Sequence, residues 1–129
     1  MDALSKRVVN ESNFPNLHEL DKKDIRKEIL TLLVDGEEVI ASYNTIRDQV
    51  IFTNKRIITA NIQAVTGTKK SFYSYPYSKI QYYGVETAGV LDIDSELILD
   101  FADGVRLSFD FTYKVNIEKI CSTISSFIL

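Results

Sequence analysis

Apolar residues before Gly36 recur at the spacing of a helix. The segment 20–34 places them three to four residues apart, at Ile25, Ile29, Leu32 and Leu33. Asp21 is a plausible N-cap residue, and Asp35-Gly36 would end the helix. The pattern therefore predicts one helix over 21–34. Residues 1–20 show less pattern, and we expect a short helix or a segment that lies over the domain.

From Glu37 to Phe111 the pattern changes to short runs of β-branched and aromatic residues, which is typical of strands. Asn54-Lys55 separates two such runs and predicts a two-residue hairpin turn, because asparagine tolerates positive φ. Thr66-Gly67-Thr68 predicts the next turn. Pro76 divides two aromatic segments and excludes a central strand at that point.

The register of the last hairpin can be predicted from the sequence. A three-residue loop, Ala102-Asp103-Gly104, pairs Phe101 with Val105, Leu99 with Leu107 and Leu97 with Phe109. A two-residue loop would place Leu107 opposite Asp100 and mix the two faces. Because a slip of one residue moves every side chain to the other face, the apolar match selects the three-residue loop. Gly104 would then adopt positive φ in a G1 bulge.

The final segment is helical again, with one apolar stripe. Thr112 or Asn116 can cap this helix, and the stripe consists of Ile117, Ile120, Ile124, Phe127 and Ile128. The order of elements is one helix, about seven short strands and one amphipathic helix. It predicts an α+β, mainly β, domain in which a strongly bent antiparallel sheet is covered at its open end by the last helix.

Length and charge restrict the function. A chain of 129 residues is expected to form one domain, with 1–20 as an extension packed on a domain of 21–129. A net charge of −3 argues against a nucleic-acid partner. The lone Cys121, the lack of an apolar leader and the lack of a long apolar run predict a cytoplasmic protein without a membrane span.

Three segments resemble the bacterial PH-like domain family. They are Phe52-Thr-Asn-Lys-Arg-Ile-Ile58, Lys79-Ile80 and Ile93-Asp-Ser-Glu-Leu-Ile-Leu-Asp-Phe101. Seven antiparallel strands followed by a helix is also the order of the pleckstrin-homology superfold. The resemblance covers about residues 20–129. It implies a single non-catalytic domain that assembles into a cyclic ring, expected to have five subunits, with a polar surface for protein interactions where the strands of neighbouring subunits meet.

Candidate catalytic and metal-binding residues lack a supporting pattern. His18 is the one histidine and has no motif that joins it to Cys121 or to a serine. Cys121, on the last helix, is interpreted as a small buried residue of the hydrophobic core. Asp92-Ile-Asp-Ser-Glu96 resembles the start of a calcium loop, but its sixth position is Leu97 instead of glycine. We therefore predict no enzyme activity, no cofactor and no metal site.

Two function classes remain. The favoured one is a self-assembling protein-interaction module, and the alternative is a membrane adaptor that binds anionic lipid headgroups. Lipid is the less expected partner because the first hairpin turn, at Arg47-Asp48, carries only one cation. Lys55-Arg56 together with Lys69-Lys70 would be an unconventional basic site. The aromatic cluster, interpreted either as ordinary strand formers or as an interface, comprises Phe72, Tyr73, Tyr75, Tyr77, Tyr82 and Tyr83.

Assembly is expected through unpaired strand edges, which few residues in this chain block. The hairpin of residues 47–58 is the favoured edge, so that proline at Ile51 should delete a pairing donor. The candidate residues for the subunit junction or the composite polar surface are Arg47, Asp48, Asn54, Lys55 and Arg56. The protein partner itself cannot be named from this pattern.

Overall fold

The computed structural model describes residues 11–62, 69–87, 94–112 and 115–129. The predicted turn at Thr66-Gly67-Thr68 and the first residues of the calcium-like segment lie outside these ranges. In the described ranges there are two α-helices, α1 (Lys27–Leu30) and α2 (Ile117–Ile128), and short 3-10 helices at Lys22–Asp24 and Tyr77–Lys79. The strands are β1 (Glu11–Glu19), β2 (Val39–Asn44), β3 (Gln49–Thr53), β4 (Arg56–Ile62), β5 (Lys70–Pro76), β6 (Ile80–Thr87), β7 (Ser95–Phe101) and β8 (Arg106–Phe111).

The eight strands of the described ranges form one curled sheet in the order β5-β4-β3-β2-β1-β8-β7-β6. Neighbours pair antiparallel except β1 and β8, which are parallel. Helix α2 covers the sheet with Ile120 and Ile124, which are buried in the main core. The predicted bent sheet with a C-terminal helix is therefore confirmed, with one parallel pair that the sequence did not indicate.

Strand β1 replaces the short helix or covering segment that we expected before residue 20. It pairs with β8 along most of its length and with β2 at His18 and Glu19. The buried residues Phe14 and Leu17 are three positions apart because the register shifts between them, where Asn16 has a φ of 57°. That bulge hides the alternation of period two by which a strand is recognised.

The helix predicted over 21–34 is wrong in its extent. Asp21 does cap a helix, accepting a hydrogen bond from Lys23 N–H, but that helix is a single 3-10 turn. Arg26 is extended and separates it from the one turn of α1. The side-chain amide of Gln49 accepts from Arg26 N–H (3.0 Å) and donates to the Asp24 carbonyl (3.1 Å). These tertiary hydrogen bonds satisfy the backbone that a continuous helix would have satisfied locally.

Strands β3 and β4 are buried on both faces. On one face, Val50, Phe52 and Ile57 belong to the main core. On the other face a second cluster contains Ile51, Ile58 and Ala60, and it is covered by Ile25 and Ile29. The segment 21–34 therefore serves as a second cover for the sheet, and the predicted apolar positions Ile25 and Ile29 do face it.

The last hairpin matches its predicted register. Leu97 is opposite Phe109, Leu99 is opposite Leu107, and Phe101 N–H donates to the Val105 carbonyl at 2.9 Å. Gly104 has a φ of 90°, as a G1 bulge requires. Of the two capping candidates for α2, Asn116 is the one used, since its side chain accepts from Lys119 N–H.

Candidate functional site

The five predicted site residues lie at opposite ends of β3. Arg47 and Asp48 form the turn before this strand, and Asn54, Lys55 and Arg56 follow it. Five extended residues span roughly 17 Å, so the two groups do not form one site within one copy of the chain.

The hairpin of residues 47–58 is not an edge of the sheet, which corrects our expectation. Strand β3 lies between β2 and β4, and β4 lies between β3 and β5. Ile51 is completely buried in the second cluster, so proline there would break the core as well as the sheet. Within the part of the chain that the structure describes, the edges are β5 and β6.

Arg56 belongs to a buried ion pair. Its Nε and Nη2 donate to the two carboxylate oxygens of Glu37 at 2.8 Å, and Nη2 also donates to the Leu32 carbonyl. The Glu37 side chain is fully buried and also accepts from Thr53 Oγ1 and Val34 N–H. Burial alone would raise the pKa of Glu37, but the hydrogen bonds from Arg56, Thr53 and Val34 N–H outweigh it and lower the pKa to about 2. This arrangement stabilises the fold and leaves Arg56 committed to Glu37.

Asn54 and Lys55 form the predicted two-residue turn, but for a different reason. Asn54 does not have positive φ; Thr53 Oγ1 instead accepts from the N–H groups of Lys55 and Arg56 at 3.0 Å. The Asn54 side chain bonds to Glu38 N–H and to the Gly36 carbonyl, and so joins the turn to the segment that precedes β2. Lys55 is the exposed cation of this end.

Arg47 and Asp48 border a polar cavity of about 330 Å³. Asp48 accepts from Ile62 N–H, which fixes the turn against the end of β4. The cavity is also lined by Asn61, Lys69 and Ser71, so Lys69 at the start of β5 provides a second cation. We call these residues the basic pocket. Beside it, Ile46 at the tip of the turn is 99% exposed.

The unconventional basic site does not form. Arg56 pairs with Pro76 at one end of the β4–β5 ladder, and Ile62 pairs with Lys70 at the other. Six residues of strand place the two ends roughly 20 Å apart. Lys70 also forms an ion pair of 2.9 Å with Glu28.

The aromatic cluster divides into buried and exposed members. Tyr77 is buried, donates to the Thr53 carbonyl at 2.8 Å and stacks on Phe127, and Tyr83 hydrogen-bonds Ser125 on α2. Tyr73 on β5 and Tyr82 on β6 are 51% and 57% exposed. The two exposed tyrosines therefore lie on the two edge strands.

An acidic face on β6, β7 and β8 was not singled out from the sequence. A cavity of about 410 Å³ is lined by Asn16, Glu86, Thr87, Asp94, Ser95, Glu96 and Asp110. Glu96 and Asp110 are cross-strand partners, and burial together with the nearby Glu96 and Asp94 raises the pKa of Asp110. Strand β7 lies between β6 and β8, so its acidic residues are not at an edge of the sheet.

Residues with potential for catalysis or metal binding are dispersed. His18 is exposed on β1, and Cys121 is half-buried on α2, where burial and Glu118 raise its thiol pKa. Across residues 11–62, 69–87, 94–112 and 115–129, no group of three His, Cys, Asp or Glu side chains is arranged to hold a metal ion. None of the helices in these ranges has both the length and the hydropathy of a membrane span.

The sequence profile of the family described as "Bacterial PH domain" matches residues 8–128. The chain belongs to this family. It is similar to two uncharacterised Bacillus subtilis (strain 168) proteins: YjqA, with 42% identity over 64% of this chain and 66% of that protein, and YozO, with 37% identity over 57% and 63%. The matches thus span less than two thirds of either relative.

Two solved structures are similar to this member of the bacterial PH domain family. The first is a crystal structure of a DUF1696 family protein with a pleckstrin-homology domain from Shewanella loihica PV-4. It has 35% identity and a TM-score of 0.77, and covers 89% of this chain and 99% of that one. The second is a pleckstrin homology domain from Shewanella amazonensis SB2B, with 35% identity, a TM-score of 0.65, and 85% and 90% coverage. The PH-like fold is therefore confirmed.

Proposed function

We propose that this chain is a non-catalytic PH-like module that assembles into a cyclic homo-oligomer, with a pentamer as the expected ring. The observation that supports it is the pair of edge strands, β5 and β6, at which the curled sheet of the described residues ends. An edge strand presents unpaired N–H and C=O groups that need a cover or a partner. Two different edges on one subunit pair head to tail, and such contacts close into a ring when the rotation per subunit fits.

The side chains of the edges support the same proposal. Tyr73 and Val85 are exposed on β5 and β6, and tyrosine is enriched in protein interfaces because it combines area with a polar tip. In the described part of the chain, Pro76 is the one proline on either edge. It lies at the last position of β5, so it leaves most of that edge able to pair.

The assembled ring would present a composite polar surface to a protein partner in the cytoplasm. Arg47 and Asp48 supply one end of it, and Asn54 with Lys55 supply the other end of each subunit. A ring repeats each weak polar contact in every copy, and several linked contacts bind a multivalent partner far more tightly than one contact does. The proposed module is non-catalytic, since the two candidate residues, His18 and Cys121, lie on different elements, β1 and α2.

Light scattering of the purified chain tests the assembly. We expect one species of about five times the chain mass at micromolar concentration. A monomer under these conditions would overturn the proposal. For the interaction role, the intact ring should capture a defined protein from a native cytoplasmic extract in a fixed ratio, and a variant ring with Arg47→Ala and Lys55→Ala should capture less of it.

A lipid-headgroup adaptor is the second candidate, because the basic pocket lies next to the exposed Ile46. Cations near an anionic surface contribute about 1 kcal/mol each, so one subunit would bind weakly. Sedimentation with vesicles of anionic and of neutral lipid tests this candidate. Binding that needs anionic lipid, and that falls in Arg47→Ala/Lys69→Ala but not in Lys55→Ala, would support it over the protein-interaction role.

A further inference from the structure

A polar cavity lies where the first turn of α2 packs near β2. Its volume is about 470 Å³, which is within the range of sites that hold small molecules. Three segments of one copy of the chain line it: residues 19–22 at the end of β1 and just after it, residues 40–43 of β2, and Asn116 with Lys119 at the N-terminus of α2. We call this space the α2 cavity.

Two of these segments carry opposite charge. In residues 19–22 the carboxylates of Glu19 and Asp21 outnumber the ammonium group of Lys22. The side chain of Lys119 brings a positive charge from α2. Among the described residues, neither Glu19 nor Lys119 has an ion-pair partner. The opposite charges therefore border one cavity without being paired to each other.

The N-terminus of α2 adds hydrogen-bond donors to the cationic side. A helix leaves its first N–H groups without partners inside the helix, and its dipole is positive at this end. The side chain of Asn116 accepts from Lys119 N–H at 3.1 Å and so satisfies one of these groups. The remaining donors favour an anionic group beside Asn116 and Lys119.

Tyr43 contributes a buried hydroxyl that lacks a partner. The residue is 5% exposed, and its ring packs edge-on against Phe52 and Phe111 in the main core. The hydroxyl of the buried Tyr77 donates to a backbone carbonyl at 2.8 Å, but that of Tyr43 has no hydrogen-bond partner among the described residues. Burial and the nearby Glu19 raise the pKa of Tyr43 to about 12, so the hydroxyl keeps its proton. Because Tyr43 lines the α2 cavity, an acceptor bound there can satisfy it.

The α2 cavity also has an apolar part. Leu20, Ile40 and Ala41 line it and are half-buried, so part of their apolar surface is still uncovered. An aliphatic group resting on them would remove this surface from water. A narrow cleft between β2 and α2 adjoins the cavity, and both Tyr43 and Lys119 border it as well. These two donors therefore lie close together.

We propose that the α2 cavity binds a small zwitterion of the α-amino-acid class that has an aliphatic side chain. The carboxylate of the ligand lies at the N-terminus of α2, where the Tyr43 hydroxyl and the Lys119 ammonium group donate to it. The α-ammonium group of the ligand lies beside Glu19 and Asp21, and its side chain covers the apolar part of the cavity. All of these residues belong to one copy of the chain, so this inference does not depend on the proposed ring.

Calorimetric titration of the unmodified chain tests the ligand class. Leucine should bind saturably. Glycine should bind at least ~10-fold more weakly, because the burial of the aliphatic side chain is lost. Leucinamide lacks the carboxylate and isocaproate lacks the ammonium group, so each should also bind at least ~10-fold more weakly than leucine. No saturable binding of leucine below about 10 mM, or equal affinity for leucine and any of these analogues, overturns the proposal.

Tyr43→Phe separates a ligand-binding role from a structural one. The variant keeps the ring in the core and removes a hydroxyl without a described partner, so the melting temperature of the ligand-free chain should not fall. Its affinity for leucine should fall about tenfold, because a hydrogen bond to a carboxylate is lost. The matched control Tyr77→Phe loses a hydrogen bond within the fold, so it should melt at a lower temperature and keep its leucine affinity. Unchanged leucine affinity in folded Tyr43→Phe overturns the proposal.

Charge removal tests the orientation of the ligand. Lys119→Gln and Glu19→Gln each remove one exposed charge at the cavity and should weaken leucine binding about fivefold. Lys79→Gln removes an exposed cation that does not line the cavity, and its leucine affinity should stay within about twofold of the unmodified chain. Equal leucine affinity in Lys119→Gln and Lys79→Gln overturns the placement of the carboxylate at the N-terminus of α2.

Discussion

The β3–β4 hairpin and the β6–β8 half of the sheet differ in what covers them. The hairpin has a core cluster on each face, and its turn is held by Glu37, Thr53 and Arg56. The other half has one core face and one open acidic face, and among the described strands it ends at the edge strand β6. The comparison shows that the hairpin is a structural centre of the fold, whereas the other half of the sheet leaves one face open.

The sharpest test of this difference is one amide substitution in each region. Glu37→Gln leaves Arg56 without its carboxylate in a buried setting, and breaking a buried ion pair costs roughly 3–5 kcal/mol of unfolding free energy. Glu86→Gln changes an exposed carboxylate and should stay within about 0.5 kcal/mol. Urea unfolding of the two variants measures both, and equal losses would contradict the assignment of Glu37–Arg56 as a structural pair.

Acidic pH should lower the unfolding free energy mainly by protonating Glu37, which holds the turn of the β3–β4 hairpin. The unfolded Glu37 carboxyl has a pKa of 4.5 and the folded one a pKa of about 2, so the unfolded state binds more protons between these values. The pair therefore contributes roughly 3 kcal/mol above pH 4.5, and this contribution is lost as the pH falls from 4.5 to 2. Unfolding free energies measured across this range should show the slope, and Glu37→Gln should reduce it.

A substitution in the turn of the β7–β8 hairpin should lower the unfolding free energy by an intermediate amount. Gly104 has a φ of 90°, a conformation that valine strongly disfavours. Gly104→Val should lower the unfolding free energy by roughly 1–2 kcal/mol through backbone strain, since an added Cβ meets no atom within 4 Å. Gly84→Ala has open space at ordinary φ and is the control; similar losses in both would exclude strain as the cause.

The smallest change in unfolding free energy is expected from a substitution on the acidic face, and it has the opposite sign to the change at Glu37. Burial and the neighbouring Glu96 raise the pKa of Asp110 in the folded state, so ionisation of Asp110 favours unfolding as the pH rises. Asp110→Asn removes this ionisation and should raise stability at neutral pH by up to about 0.5 kcal/mol. Thermal melts at pH 7 compare the variant with the unmodified chain, and a lower melting temperature would contradict the assignment.

Sequence reasoning succeeded where structure is local. The β7–β8 hairpin follows from alternation and one glycine, and α2 follows from one apolar stripe and a cap at Asn116. It failed where distant residues decide the outcome. The side chain of Gln49 divides the helix predicted over 21–34, and the bulge at Asn16 hides β1.

Prediction of the candidate site from the sequence was limited by the same dependence on distant residues. Which strand lies at an edge depends on the order of all eight, and that order includes β1, which inserts between β2 and β8. The hairpin of residues 47–58 is interior because β2 pairs with β3 and β5 pairs with β4, and the sequence alone did not show that both of these pairings form. The charges of Arg47 and Asp48 were visible in the sequence, but their position beside Lys69 depends on the β4–β5 ladder.

The position of β1 also has a consequence for synthesis. This strand leaves the ribosome before all the others described here, yet its longest pairing is with β8, in which Phe109 is opposite Phe14. The strands β2 to β7 must all be translated before that partner exists, whereas β2 to β5 can form hairpins from neighbouring residues as they emerge. Pairings so distant in sequence slow folding because the loop entropy is lost before the contact is gained. Closure of the sheet by β1 is therefore a late step of folding, and until then β2 remains an open edge that a chaperone or a second nascent chain can reach.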